Sequence, residues 1–121
     1  MISAATREER ELLVAACRDG NRRFLEHSDE RPSEWRPGEV PVPGLSEWNI
    51  FFTDPRTFEF IAEQIVAGCV VAKLVLEKPP GAVGYEMKFP WPDGRVLYAK
   101  LELKGQNVFG RSFHFSVKTG K

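Results

Sequence analysis

Two helical segments followed by a run of alternating strands predict an α+β domain, with two main N-terminal helices packed on an antiparallel sheet of about four strands. Three observations carry that expectation. Apolar residues at three- and four-residue spacing mark the chain before residue 70. Beyond it, apolar and polar residues alternate, as in Leu97-Tyr98-Ala99-Lys100-Leu101-Glu102-Leu103. This segregation of helices from strands disfavours a parallel, doubly wound sheet. With 121 residues, 42% hydrophobic and 28% charged, the chain suits one domain over 1–121 with a modest core.

Residues 1–30 form the N-terminal helical region. Leu13, Ala16, Cys17 and Phe24 mark one face of an amphipathic helix predicted from Thr6 to His27, weakened at Gly20. Residues 31–53 are a Pro-rich connector, because Pro32, Pro37, Pro41 and Pro43 lack N–H donors and have fixed φ. Trp35 and Trp48 are expected to pin it to the core, and 49–52 to form a brief strand at most. Residues 54–121 hold the second helix and the sheet. Asp54 as N-cap, Pro55 at the first helical position and Gly68 as the stop predict a helix over 55–67 buried through Phe58, Ile61, Ala62 and Ile65. Strands are predicted near 70–77, 84–89, 96–103 and 108–117.

The last two strands read as one hairpin. Leu97, Ala99, Leu101 and Leu103 share a face, as do Phe109, Arg111, Phe113, Phe115 and Val117. A three-residue loop, Gly105-Gln106-Asn107, keeps those faces together, pairing Lys100 with Ser112 and Tyr98 with His114. A two-residue loop would slip the register and oppose apolar to polar faces. The polar face then gathers a phenol, an ammonium, an imidazole and the hydroxyls of Ser112 and Ser116. Gly110 permits a bulge that would re-aim Arg111 as a phosphate ligand; the alternative is a structural ion pair with an acid from the N-terminal helices.

The formal charge of zero conceals a division. Residues 1–72 carry 8 Arg and no Lys against 13 acids, a net of −5, and residues 73–121 carry a net of +5. A basic sheet suits an anionic partner, unless the two halves simply neutralise each other within the fold. The sequence lacks zinc-ligand spacing, a phosphate-binding Gly-rich loop and a G-x-S-x-G turn, so no metal or cofactor is expected. Cys17 and Cys69 are expected as reduced thiols. No membrane span or signal-peptide core is visible, which leads to the expectation of a cytoplasmic protein.

The polar cluster suits phosphodiester chemistry. Cleavage of RNA by its own 2′-hydroxyl needs a base, an acid and cations around the charged phosphorane. His114 is the candidate acid or base, Lys100 and Arg111 the candidate cations, and Tyr98 a stacking surface or phosphate donor. Ser112, Ser116 and Lys88 are candidate substrate contacts. Glu86 and Glu102 are either bases or lysine partners. On the same residues, a non-enzymatic module that holds RNA or a partner protein on this face is the alternative.

The segment 96–103, followed by Val108-Phe109-Gly110-Arg111-Ser112-Phe113-His114, resembles the closing strands of bacterial toxins of the motility-quorum-sensing-regulator (MqsR) type. Those carry a tyrosine and a lysine on one strand and a serine-phenylalanine pair on the last. The likeness spans residues 55–118 and extends to the RelE-like, barnase-like and colicin-like ribonucleases. It implies a metal-independent mRNA endonuclease of a toxin–antitoxin system, neutralised by a cognate antitoxin. Tyr98, Lys100 and Ser112 match the pattern; His114 has no secure counterpart, and the acidic N-terminal section departs from it.

Overall fold

The computed structural model describes residues 2–44 and 50–116, so the expected places of Trp48 and Val117 lie outside the described residues. Helix α1 (Arg7–Cys17) starts at a reciprocal cap: Glu9 N–H donates to Thr6 Oγ1 at 3.1 Å, and Thr6 N–H to Glu9 Oε1 at 2.8 Å. It stops well short of His27. Asp19 captures the chain instead, its carboxylate accepting from Asn21 N–H at 2.8 Å and its carbonyl from Arg22 N–H at 2.9 Å. Helix α2 (Asp54–Val66) is capped by Thr53, whose hydroxyl accepts from Arg56 N–H, rather than by Asp54. Asp54 serves elsewhere, accepting Trp35 Nε1–H at 3.0 Å.

The sheet corrects the predicted architecture. It has seven strands and is mixed, where about four antiparallel strands were expected. Strands β4 (Ala72–Val75), β5 (Val83–Pro90), β6 (Val96–Lys104) and β7 (Asn107–Phe115) are consecutive antiparallel neighbours. Three short strands complete it, one ahead of the first helix, one from the end of its predicted span and one from the connector. β1 (Ser3–Ala4) lies antiparallel to β4 on one edge, while β2 (Arg23–Leu25) and β3 (Glu34–Trp35) both run parallel to β7 on the other. The reason is backbone satisfaction: an edge strand offers a row of unpaired N–H and C=O groups, and passing segments of two or three residues fill it.

The hairpin keeps the expected pairs Tyr98↔His114 and Lys100↔Ser112 by a different route. Lys104 pairs with Asn107, so the loop is the two residues Gly105-Gln106, with Gly105 at φ +62° as tight hairpin turns of this length require. The resulting slip is undone by a bulge: Leu101 faces Gly110 but Lys100 faces Ser112, leaving Arg111 as the extra residue. Phe109, opposite Glu102, consequently lies on the polar face and not with Phe113. The bulge also divides the outer edge of β7, with β2 pairing 108–110 and β3 pairing 112–113.

One face of the sheet meets the helices. Leu13, Cys17, Phe58, Ile61 and Ile65 pack against Tyr85, Met87, Leu97, Leu101 and Phe113, all 3% exposed or less. Trp35 stacks at 5.0 Å from Phe58 and 5.9 Å from Phe113, pinning the connector as expected. Cys17 and Cys69 are free thiols, and burial pushes that of Cys17 up to about 12. No helix among the described residues is long and apolar enough to cross a membrane.

Candidate functional site on the polar face of the sheet

Cross-strand partners share a face, so the register writes the polar surface as rows. One row is Ala72–Glu86–Lys100–Ser112, with Glu34 beyond it on β3; the next is Lys88–Tyr98–His114. The predicted residues Lys88, Tyr98, Lys100, Ser112 and His114 therefore stand together, opposite the helices. Lys88 is exposed, Tyr98 and Lys100 half-buried, and Ser112 buried. Ser116 lies just past β7, its N–H donating to Val96 O at 2.9 Å.

His114 is oriented by its own strand. Nδ1 is 2.9 Å from the Phe115 carbonyl, an acceptor, so the proton of the neutral ring belongs on Nδ1. Nε2 is then the basic nitrogen. It is buried, makes no hydrogen bond among the described residues, and faces Glu34 Oε1 at 3.3 Å. The Tyr98 ring lies 5.7 Å from the imidazole, and its hydroxyl donates to Glu86 Oε2 at 2.6 Å. Burial and then that hydrogen bond push the phenol's pKa up, so Tyr98 stays protonated.

Lys100 is a cation without a mate. It makes no ion pair or hydrogen bond among the described residues, although Glu86 is its direct cross-strand neighbour, because Glu86 is taken by Tyr98. Burial, followed by the positive charge of Arg111, lowers its pKa, against the weaker opposing pull of Glu86 and Glu34. A half-buried ammonium beside a guanidinium is an environment that an anion would relieve.

Arg111 is re-aimed by a bulge beside Gly110, as expected, and enters a structural ion pair, although with Glu102 of β6 and not with an acid of the N-terminal helices. The bulge turns it into a buried cluster where Nη1 donates to Glu102 Oε1 at 2.9 Å, Nη2 to Lys78 O at 2.8 Å and Nε to Pro32 O at 3.1 Å. Glu102, 1% exposed, also accepts from Arg31 Nε at 3.0 Å and Nη2 at 3.2 Å. Arg31 in turn lies over the Phe109 ring, 4.4 Å from its centroid. Arg111 thus contributes fixed positive charge and anchors the connector, with each of its three nitrogens already bonded. Glu102 is a partner of two arginines, not of a lysine.

Three participants escaped sequence reasoning. Glu34 and Arg31 sit in the connector, where nothing in the local pattern announces a β pairing or a buried ion pair. Leu76 is the third: a Cβ on Gly84 would fall 2.7 Å from its Cδ2, so the bare backbone of Gly84 lets the segment after β4 fold down onto the polar face. The only available signal was Gly84 within a strand pattern. Among the described residues no group of three or more His, Cys, Asp or Glu is gathered as a metal site. No known family, curated protein or solved structure matches the chain.

Proposed function

We propose that this face is the site of a metal-independent RNA endonuclease, the toxin of a bacterial toxin–antitoxin pair acting in the cytoplasm. The observation that carries the reading is Lys100, a half-buried ammonium with no ion pair among the described residues and the Arg111 guanidinium beside it, in the same surface patch as His114, whose Nδ1 is held by the Phe115 carbonyl. The hairpin's resemblance to the MqsR-type toxins and their RelE-like relatives points the same way through Tyr98, Lys100 and Ser112.

The scissile phosphate binds at Lys100, with Ser112 beneath it. His114 Nε2 takes the proton of the 2′-hydroxyl; the 2′-oxygen bonds to phosphorus as the bond to the 5′-oxygen breaks, and that oxygen receives a proton from the Lys100 ammonium. The products are a 2′,3′-cyclic phosphate and a free 5′-hydroxyl. Arg111 adds to the positive field that stabilises the phosphorane. Tyr98 offers its ring to a base, and Lys88 holds a flanking phosphate. Glu34, 62% exposed, swings into solvent when the substrate takes its place. The cognate antitoxin neutralises the protein by covering this basic face.

The test is incubation of the purified protein with end-labelled RNA in chelator and identification of the new ends. Cyclic phosphate termini are expected, with cleavage falling by about 10²-fold or more in His114→Ala and in Lys100→Ala. RNA bound but uncleaved would make the face a binding module. Undiminished cleavage by the double variant would remove both residues from the chemistry. In cells, expression should arrest growth and His114→Ala should relieve the arrest.

A further inference from the structure

Beside Lys100, away from His114, the polar face opens into a pocket of about 370 Å³. Its walls come from three parts of the chain: Leu74 and Leu76 from β4 and the turn after it, Pro32 from the connector, and Lys100 with Arg111 from the hairpin. Leu74 lies in the row Leu74–Gly84–Glu102, and Leu76 folds over Gly84, whose missing side chain leaves it that room, so both leucines stand on the polar side of the sheet and line the pocket. The far wall cannot drift, because Arg111 ties Lys78 O, Pro32 O and Glu102 together across it.

We propose that this pocket seats one nucleoside monophosphate unit of the RNA, the base against the leucines and the phosphate on Lys100. The inference rests on the ribonuclease reading of the face and adds to it a single-nucleotide specificity site. Three features favour that occupant. The lining combines apolar side chains, Pro32, Leu74, Val75 and Leu76, with the cations Lys78, Lys100 and Arg111, the two chemistries that an apolar ring carrying an anion requires. Its volume falls within the range of about 300–1,000 Å³ common to small-molecule sites. Glu77, also on the lining, offers an acceptor to the N–H groups of a base and makes the pocket a poor home for a bare polyanion.

The arrangement has a consequence for the order of recognition. A base in this pocket presents its own phosphate to Lys100, and the next row of the sheet carries His114, so the pocket sets which phosphodiester meets the imidazole. Cleavage is then selective at one nucleotide position and tolerant at others.

Titration of the intact protein with each of the four ribonucleoside monophosphates, ribose 5-phosphate and inorganic phosphate, followed by NMR or calorimetry, tests this. At least one nucleotide should bind tenfold more tightly than ribose 5-phosphate or inorganic phosphate. Lys100→Ala should abolish binding of all of them. Leu74→Trp, which fills the pocket, should weaken the nucleotide at least tenfold, leave inorganic phosphate within twofold, and flatten the base preference of RNA cleavage. A second variant, Leu74→Phe, guards against misfolding, with unchanged circular dichroism required of each. Equal affinity for nucleotide and phosphate, or an unaltered cleavage preference in folded Leu74 variants, would overturn the pocket while leaving the nuclease standing. Selective nucleotide binding by a protein that cleaves no RNA would do the reverse.

Discussion

Replacing Glu102 with Gln isolates the buried ion-pair cluster that ties the connector to the sheet. The carboxylate is 1% exposed and receives three hydrogen bonds from two guanidiniums, Arg31 at 3.0 and 3.2 Å and Arg111 at 2.9 Å. Glutamine keeps the shape, removes the charge and turns one acceptor into an NH₂ group facing a donor. Arg111 then loses its only acidic partner among the described residues and Arg31 keeps only Glu26, at 3.5 Å, a change of the kind that costs about 3–5 kcal/mol when one partner of a buried pair is removed. At about 2.1 cal/mol/K of unfolding entropy per residue, a 121-residue domain loses about 12–20 °C in Tm for that energy. Thermal and urea unfolding at pH 7 read it directly. The double variant Arg31→Met/Glu102→Gln should be more stable than Glu102→Gln alone, since one orphaned charge has gone with its partner. A loss under about 1 kcal/mol, the worth of an exposed ion pair, would refute the claim that this cluster staples the connector to the sheet.

Two further outcomes follow from other parts of the fold. Lys73, then the Thr6 N–H and the Tyr85 hydroxyl, hold the Glu9 carboxyl down from an ordinary 4.5 to about 2. The folded state binds this proton less readily than the unfolded chain, so the stabilisation is present above pH 4.5 and is lost as pH falls toward 2. After screening at a partly exposed site it amounts to about 1–2 kcal/mol, and Glu9→Gln should lose that amount at pH 7 and show a flatter urea midpoint between pH 5 and about 2. Gly110→Ala should destabilise by about 1–3 kcal/mol, because its Cβ would lie 2.6 Å from Trp35 Cζ3 and 2.7 Å from Leu25 Cδ2; a urea midpoint equal to that of the native chain would show that β2 and β3 yield easily.

The sequence by itself determined which face each residue of β6 takes, and those of β7 beyond the bulge. Alternation with a period of two is local, so Tyr98 and Lys100 opposite the leucines, and Ser112 and His114 opposite Phe113, were legible without any tertiary knowledge. The two helices were legible from their apolar spacing, though the first ends at Cys17 and not at His27 and the second is capped by Thr53 and not by Asp54, and the four longer strands were legible near their observed limits. Only the tertiary structure decided how the chain reaches those faces. Loop length and bulge compensate each other, two residues instead of three against one extra residue at Arg111, and a face-matching argument sees only their sum. β1, β2 and β3 are two or three residues long, too short to show a period, and exist because the open edges of β4 and β7 need backbone partners. The same holds for the site's inner wall: Arg31 lies 71 residues from Glu102 and Pro32 lies 79 from Arg111, and a contact across that distance is written in the closure of the fold and not in any local pattern.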